Sequence, residues 1–282
     1  MVRPCSSGRH SFTSLAGALL LTIASVSVVR AADEAQIGAQ VYRDLVKKGT
    51  LVNASPWYAV LNQMGGKVAA VADKRYTYPF RFFLVNEKQP NAFAVPGGNI
   101  YITVPMMSFV KNKEELAGVL CHEVAHDINH DVPALNQKAQ TTNAIAAGLS
   151  LLIGGGSNQT INTVLGAGAR LQGLHYSRGA EENADTTGAR ICAQAGYNPW
   201  GMIWLFQSFS RANTGGAFEM LSDHPNDSHR ISRLEALFKA EPGRFARFSS
   251  NRSSANAMPT LASLQRQNGS IRPAAPAKRA GY

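Results

Sequence analysis

Acidic residues are missing from both ends of this 282-residue chain. Residues 1–31 hold Arg3, Arg9 and Arg30 and no acid. Residues 244–282 hold Arg244, Arg247, Arg252, Arg266, Arg272, Lys278 and Arg279, again with no acid. The other 18 basic residues are matched by all 18 acidic ones, so the net charge of +10 belongs to the ends and the body is formally neutral. A body that binds nucleic acid carries the basic excess itself, so nucleic acid is excluded as a partner. Long apolar runs are also scarce. Ala144 to Gly156 is apolar but too short to span a bilayer. It reads as small-residue core packing, with a membrane-touching surface as the alternative. Cysteine is rare too, with three in the chain. None stands near the end of the N-terminal apolar run, and Cys5 lies too early to carry a lipid. Cys121 and Cys192 can pair in an oxidising compartment or stay free and buried, since nothing in the sequence sets a distance between them. No internal repeat is found.

What the chain does have begins with a targeting segment. Arg3 and Arg9 form a basic start, no charge follows from Ser11 to Val29, and Val29-Arg30-Ala31 suits cleavage before Ala32. Residues 1–31 are therefore read as a signal peptide, with retention as a membrane anchor the alternative. Residues 32–243 are read as one domain. The Ser/Asn/Pro/Arg-rich stretch 244–282 is read as a basic disordered tail.

Within the domain, residues 33–49 and 56–73 have helical spacing. Tyr78 to Asn86 reads as a strand, and Asn91 to Thr103 as two short strands around Pro96-Gly97-Gly98. Pro96 makes the first of these a sheet edge or a break, and an edge is where an extended substrate can pair. A helix is predicted from Lys113 to His130. Asn112 is its N-cap, Glu115 stands three residues on, and Leu116, Val119, Leu120 and Val124 form its apolar stripe. Further helices are expected over 132–177, broken at Gly154-Gly155-Gly156, and over 180–195, 199–212 and 227–239.

The predicted 113–130 helix carries His122-Glu123-Val124-Ala125-His126, an HExxH pattern. Residues four apart share a helical face, so both imidazoles can reach one zinc ion. Glu123 falls where it reaches a water at the metal, which suits a general base. A third ligand is still needed. The metzincin pattern requires Gly at 129 and His at 132, where this chain has Asn129 and Val132. His130 extends the same face by a turn and reads as a helix-end residue. The gluzincin solution takes a glutamate from a second helix, and Ser177-Arg178-Gly179-Ala180-Glu181-Glu182-Asn183-Ala184-Asp185 fits it. Glu181 and Asp185 share a face, so Glu181 can ligate while Asp185 orients a ligand histidine. Glu182 has no carboxylate four residues on and is left as a solvated helix start.

Four segments in order, NAFAVPGGNIYIT, HEVAHDINH, SRGAEENAD and DHPNDSHRI, resemble the zinc metallopeptidase family that includes the HtpX heat-shock protease, the CAAX prenyl protease, mitochondrial Oma and bacterial BepA and LoiP. The resemblance covers about residues 34–240. It implies one zinc ion per chain held by His122, His126 and Glu181, Glu123 as base, and a functional His224 in the His-Pro loop. It also implies a periplasmic, possibly membrane-associated enzyme acting on misfolded or damaged envelope proteins, with outer-membrane assembly factors as further partners. The chain departs from the integral members by lacking their multiple apolar spans, and from BepA by lacking helical repeats after the domain.

The expected fold is α+β and zincin-like, mostly helical, with a small sheet beside the HExxH helix. The expected activity is peptide-bond hydrolysis. A zinc-stabilised, non-catalytic chaperone or assembly factor is the alternative, and it has no use for Glu123. His224, ahead of Pro225 on a loop, either plugs the metal site at rest or stabilises an oxyanion.

Overall fold

The computed structural model describes residues 34–131, 176–212, 224, 228–268 and 271–275. The predicted signal segment and nearly all of the predicted 132–177 helical region lie outside the described residues. Tyr176 and Ser177, at the end of that region, are not helical.

The chain opens with α1 (34–48) and a short strand β1 (Leu51–Val52). Helix α2 (Tyr58–Ala72) follows, then β2 (Arg81–Val85), β3 (Ala92–Val95) and β4 (Asn99–Thr103). The strands form one sheet in the order β1-β2-β4-β3. β2 and β4 run parallel, and the outer pairs run antiparallel. Among the described residues β3 is thus an edge, one of the two outcomes that Pro96 allows. The Pro96-Gly97-Gly98 turn needs its glycines. Gly97 and Gly98 have φ of 97° and 86°, and a Cβ on Gly98 would sit 2.6 Å from the Pro79 carbonyl oxygen.

These strands show no polar alternation because both faces are covered. Phe82, Leu84, Ala94, Ile100 and Ile102 belong to the main core with α2 and the helix described next. On the other face, Phe83, Phe93 and Tyr101 stack across three strands, with ring centroids 5.4 and 5.1 Å apart. Val41 and Leu45 of α1 close over them.

After a short α3 (Val104–Phe109), the central helix α4 runs Lys113–Ile128. Asn112 caps it as expected, its side chain accepting the Glu115 N–H at 2.8 Å, while the Glu115 carboxylate accepts the Lys111 N–H at 2.9 Å. Such a cap contributes about 1 kcal/mol. The predicted apolar stripe understates the burial: every residue from Glu114 to Asp127 is buried. The helix is enclosed by α2, the sheet, α5 (Arg178–Gln194) and α6 (Trp200–Ala212). A further helix, α7 (Ser228–Ala240), lies against α5. The fold is α+β, mostly helical, with the small sheet beside α4. No helix among the described residues is long and apolar enough to cross a membrane.

The expectation of a disordered tail from residue 244 is corrected. α8 (Pro242–Phe245), a 3-10 turn (Arg252–Ser254) and α9 (Leu261–Asn268) follow α7 and pack on the body. Arg252 pairs with Glu115, and Asn256 donates its backbone and side-chain N–H to Glu114 at 2.9 and 2.6 Å. Leu264 is buried in the main core, and Ile271 pairs with Ser55 in an antiparallel bridge. The tail is polar because its partners are polar. Two carboxylates buried at the N-terminus of α4 need donors, and tail residues supply them.

Candidate metal centre

His122 and His126 project from one face of α4, with ring centroids 4.6 Å apart. Each has its Nδ1 facing a carboxylate: His122 lies 3.2 Å from Asp185 Oδ1, and His126 lies 2.8 Å from Asp131 Oδ2. His126 Nδ1 is hydrogen-bonded to Asp131, His122 Nδ1 faces Asp185 without the alignment of a hydrogen bond, and the two Nε2 atoms lie 3.1 Å from each other.

Helix α5 brings the second half of the centre. Ser177 caps it, accepting the Ala180 N–H at 3.2 Å, so Glu181 falls in the first turn. α5 lies against α4 at Gly188, where an added Cβ would meet the Cys121 carbonyl oxygen at 3.0 Å and His122 Cα at 3.2 Å. That contact sets Asp185 nearly one turn back and Glu181 nearly two, opposite the histidines. Cys121 and Cys192 join the same two helices as a disulfide, with Cα atoms 5.8 Å apart. The pairing left open by the sequence is therefore formed.

The Glu181 carboxylate lies 3.4 Å from His122 Nε2 and 3.5 Å from His126 Nε2. His224 completes the group. Its Nδ1 is 2.9 Å from Glu181 Oε1 and 3.3 Å from His122 Nε2, and its Nε2 is 3.6 Å from Glu123 Oε1. His122, His126, Glu181 and His224 are all buried and each offers one ligand atom, all within 4.8 Å of one another. Imidazole lone pairs and a carboxylate converging in a dry site repel unless a cation lies among them. The donor set, three nitrogens and one oxygen, suits zinc.

Glu123 is fully buried beside this group and next to Ala94 of the edge strand β3. Burial pushes its carboxyl above the usual range, against the pull of His224 and His122. Glu181 goes the opposite way. Burial opposes its charge, but His224 and His122 hold the carboxyl well below its ordinary value. Glu182 is outside the cluster, half exposed and 3.1 Å from Arg233. His130 is a helix-end residue as expected, at φ 56° and 2.8 Å from Glu34.

Three neighbours were not legible in the sequence. Asp131 holds His126. The Tyr176 ring stacks on His126 at 4.0 Å and on His224 at 5.1 Å. Arg230, 1% exposed, reaches Glu181 Oε2 at 2.7 Å and grips Asp185 at 2.6 and 2.8 Å. It keeps the Asp185 carboxyl ionised against its burial. Two carboxylates on one buried face do call for a cation besides the metal, but nothing in the sequence says that Arg230 supplies it.

Comparison with known proteins agrees with this geometry. The model of peptidase family M48 matches residues 58–238. A beta-barrel assembly-enhancing protease of Yersinia pestis is 31% identical over 180 residues, 61% of this chain and 37% of that protein. The protein of the same name from Escherichia coli K12 is 28% identical over 214 residues, 73% of this chain and 44% of that one. The mitochondrial metalloendopeptidase OMA1 of Schizosaccharomyces pombe is 29% identical over 162 residues, 54% of this chain and 44% of that one. The chain therefore spans less than half the length of these relatives. With the family model covering most of the chain and four candidate ligands gathered around one point, the protein belongs to the M48 metallopeptidases.

Proposed function

We propose that this M48 metallopeptidase is a zinc-dependent endopeptidase of the bacterial cell envelope that degrades misfolded or damaged envelope proteins. The observation that carries the reading is Glu123: a buried carboxylate placed between the His122/His126/Glu181 group and Ala94 of the edge strand β3. A metal-stabilised chaperone needs the ligands but not this base. The envelope is supported by the names of the bacterial relatives, by the leader-like N-terminus and by the Cys121–Cys192 disulfide, which suits an oxidising compartment.

In this reading His122 Nε2, His126 Nε2 and Glu181 hold the metal, with Asp185 and Asp131 fixing the tautomers of the two histidines. Zinc, when bound, acts as a Lewis acid on the scissile carbonyl and on the attacking water. Glu123 takes a proton from that water and delivers it to the leaving amine. The β3 edge pairs with an extended substrate and presents its carbonyl beside Glu123. Arg230 is a positioning residue that holds Glu181 and Asp185 in register. His224, at the fourth position, plugs the centre at rest and must leave before substrate enters.

The test is zinc content together with casein cleavage by the purified full chain. One zinc per chain, with cleavage lost on chelation and restored by zinc, is the expected result. Zinc bound at one per chain without cleavage of any unfolded protein would support the chaperone reading instead.

A further inference from the structure

On the α1 side of the sheet lies a cavity of about 600 Å3. Tyr42 and Arg43 of α1 line it, with Tyr78, Arg81, Phe83 and Asn99. The volume suits a ligand of a few residues rather than a lone ion. Its polar groups are incomplete. Arg81 Nε is buried with no hydrogen-bond partner, and Arg81 makes no ion pair among the described residues. Asn99 donates Nδ2 to the Gly38 carbonyl oxygen at 3.3 Å, which identifies Oδ1 as the free acceptor, and that atom is also buried without a partner. Arg81 and Asn99 are register partners in the β2–β4 pair, so the two side chains stand next to each other on one face.

A site with a guanidinium donor, an adjacent amide acceptor and aromatic walls asks for three things from one ligand. It wants a carboxylate for Arg81 and Arg43, an N–H donor for Asn99, and an apolar or aromatic body against Tyr42, Tyr78 and Phe83. The C-terminal residue of a polypeptide carries the carboxylate and the amide N–H on one Cα, with the side chain on the same carbon. We infer that this cavity binds the free C-terminus of an unfolded polypeptide chain. Phosphate or a bare carboxylate supplies only the first of the three groups.

The cavity is tied to the metal centre through its wall. Gly97 and Asn99 flank Gly98, whose N–H donates to Asp127 of α4 at 3.1 Å, and the same turn leads out of the edge strand β3. Its use in holding a substrate rests on the endopeptidase reading; the binding itself does not.

The experiment uses the zinc-loaded full chain carrying Glu123→Gln, so that the probe is not cut. A fluorescent hexapeptide ending in Ala-Phe is titrated by anisotropy as the free acid and as the C-terminal amide. The free acid should bind saturably and about tenfold more tightly than the amide, the scale of a lost charge-assisted contact. Arg81→Gln should remove most of that preference and leave amide binding unchanged. Arg43→Glu, at an exposed position, should do the same even if Arg81→Gln folds poorly. A hydroxamate seated at the metal should not displace the probe. Equal affinity for acid and amide, acid binding unaltered in both variants, or displacement by the hydroxamate would overturn the inference. Because hydrolysis is not measured, failure here and failure of the endopeptidase reading are distinguishable.

Discussion

At the level of single residues, the centre is a set of buried lone pairs and carboxylate oxygens, several of them without a hydrogen-bond partner, that a cation would bring together. Glu181→Ala should lower zinc occupancy severalfold, because it removes the carboxylate of the candidate ligand group, whereas Glu182→Ala should leave occupancy unchanged, since Glu182 faces Arg233 at the surface. Metal analysis of the two purified variants decides between them. The sign of the His224→Ala effect tests the plug. His224 already lies against Glu181 and His122, so its removal should raise basal casein cleavage with zinc retained. A loss of turnover would assign it to the transition state instead. The two histidines were readable because helical spacing puts them on one face, Glu181 because it shares a face with Asp185, and Glu123 because it stands next to His122. Asp131, Tyr176 and Arg230 were not, because they meet the centre through tertiary packing that no spacing encodes.

At the level of elements, function depends on how closely α4 and α5 approach. Gly188 permits backbone contact at Cys121 and His122, and the disulfide holds the pair one turn away. Loop-closure entropy over the 71-residue separation predicts that Cys121→Ser with Cys192→Ser costs about 4 kcal/mol, measured by urea unfolding of the zinc-loaded protein. Unchanged stability would show that the disulfide is incidental to this contact. The start of α4 was well marked in the sequence, since Asn112 caps it as its side chain allows, whereas α5 begins at Arg178 behind the Ser177 cap, two residues ahead of the expected 180. The all-round burial of α4 was not marked, because periodicity reports one apolar face. Here Glu114, Glu115 and Asp127 are buried along with Leu116 and Val119, and Asn256, Arg252 and Gly98, far away in the chain, each meet one of the three acids.

At the level of the whole molecule, the segment after residue 243 is part of the body. Its composition is that of a disordered region, yet Arg252, Asn256 and Leu264 each complete a contact with α4 or the main core. Leu264→Ala should therefore lose about 2–5 kcal/mol in chemical denaturation, the cost of truncating a buried leucine. A chain ending at Phe245 should be far less stable than the full one. A tail with no structural role would leave both measurements unmoved. This also changes the meaning of the charge count. At Arg252 the basic excess of the C-terminal stretch is spent within the fold, on Glu115, rather than on an outside partner.

The central claim is that Glu123 acts as a base beside a zinc ion it does not bind. Glu123→Gln keeps the shape and the buried site but cannot take a proton, so zinc content and casein cleavage measured on the same preparation separate binding from chemistry. The expected result is one zinc per chain with cleavage reduced by at least about 100-fold, the lower range for losing general acid–base catalysis. Full zinc with undiminished cleavage would contradict the account.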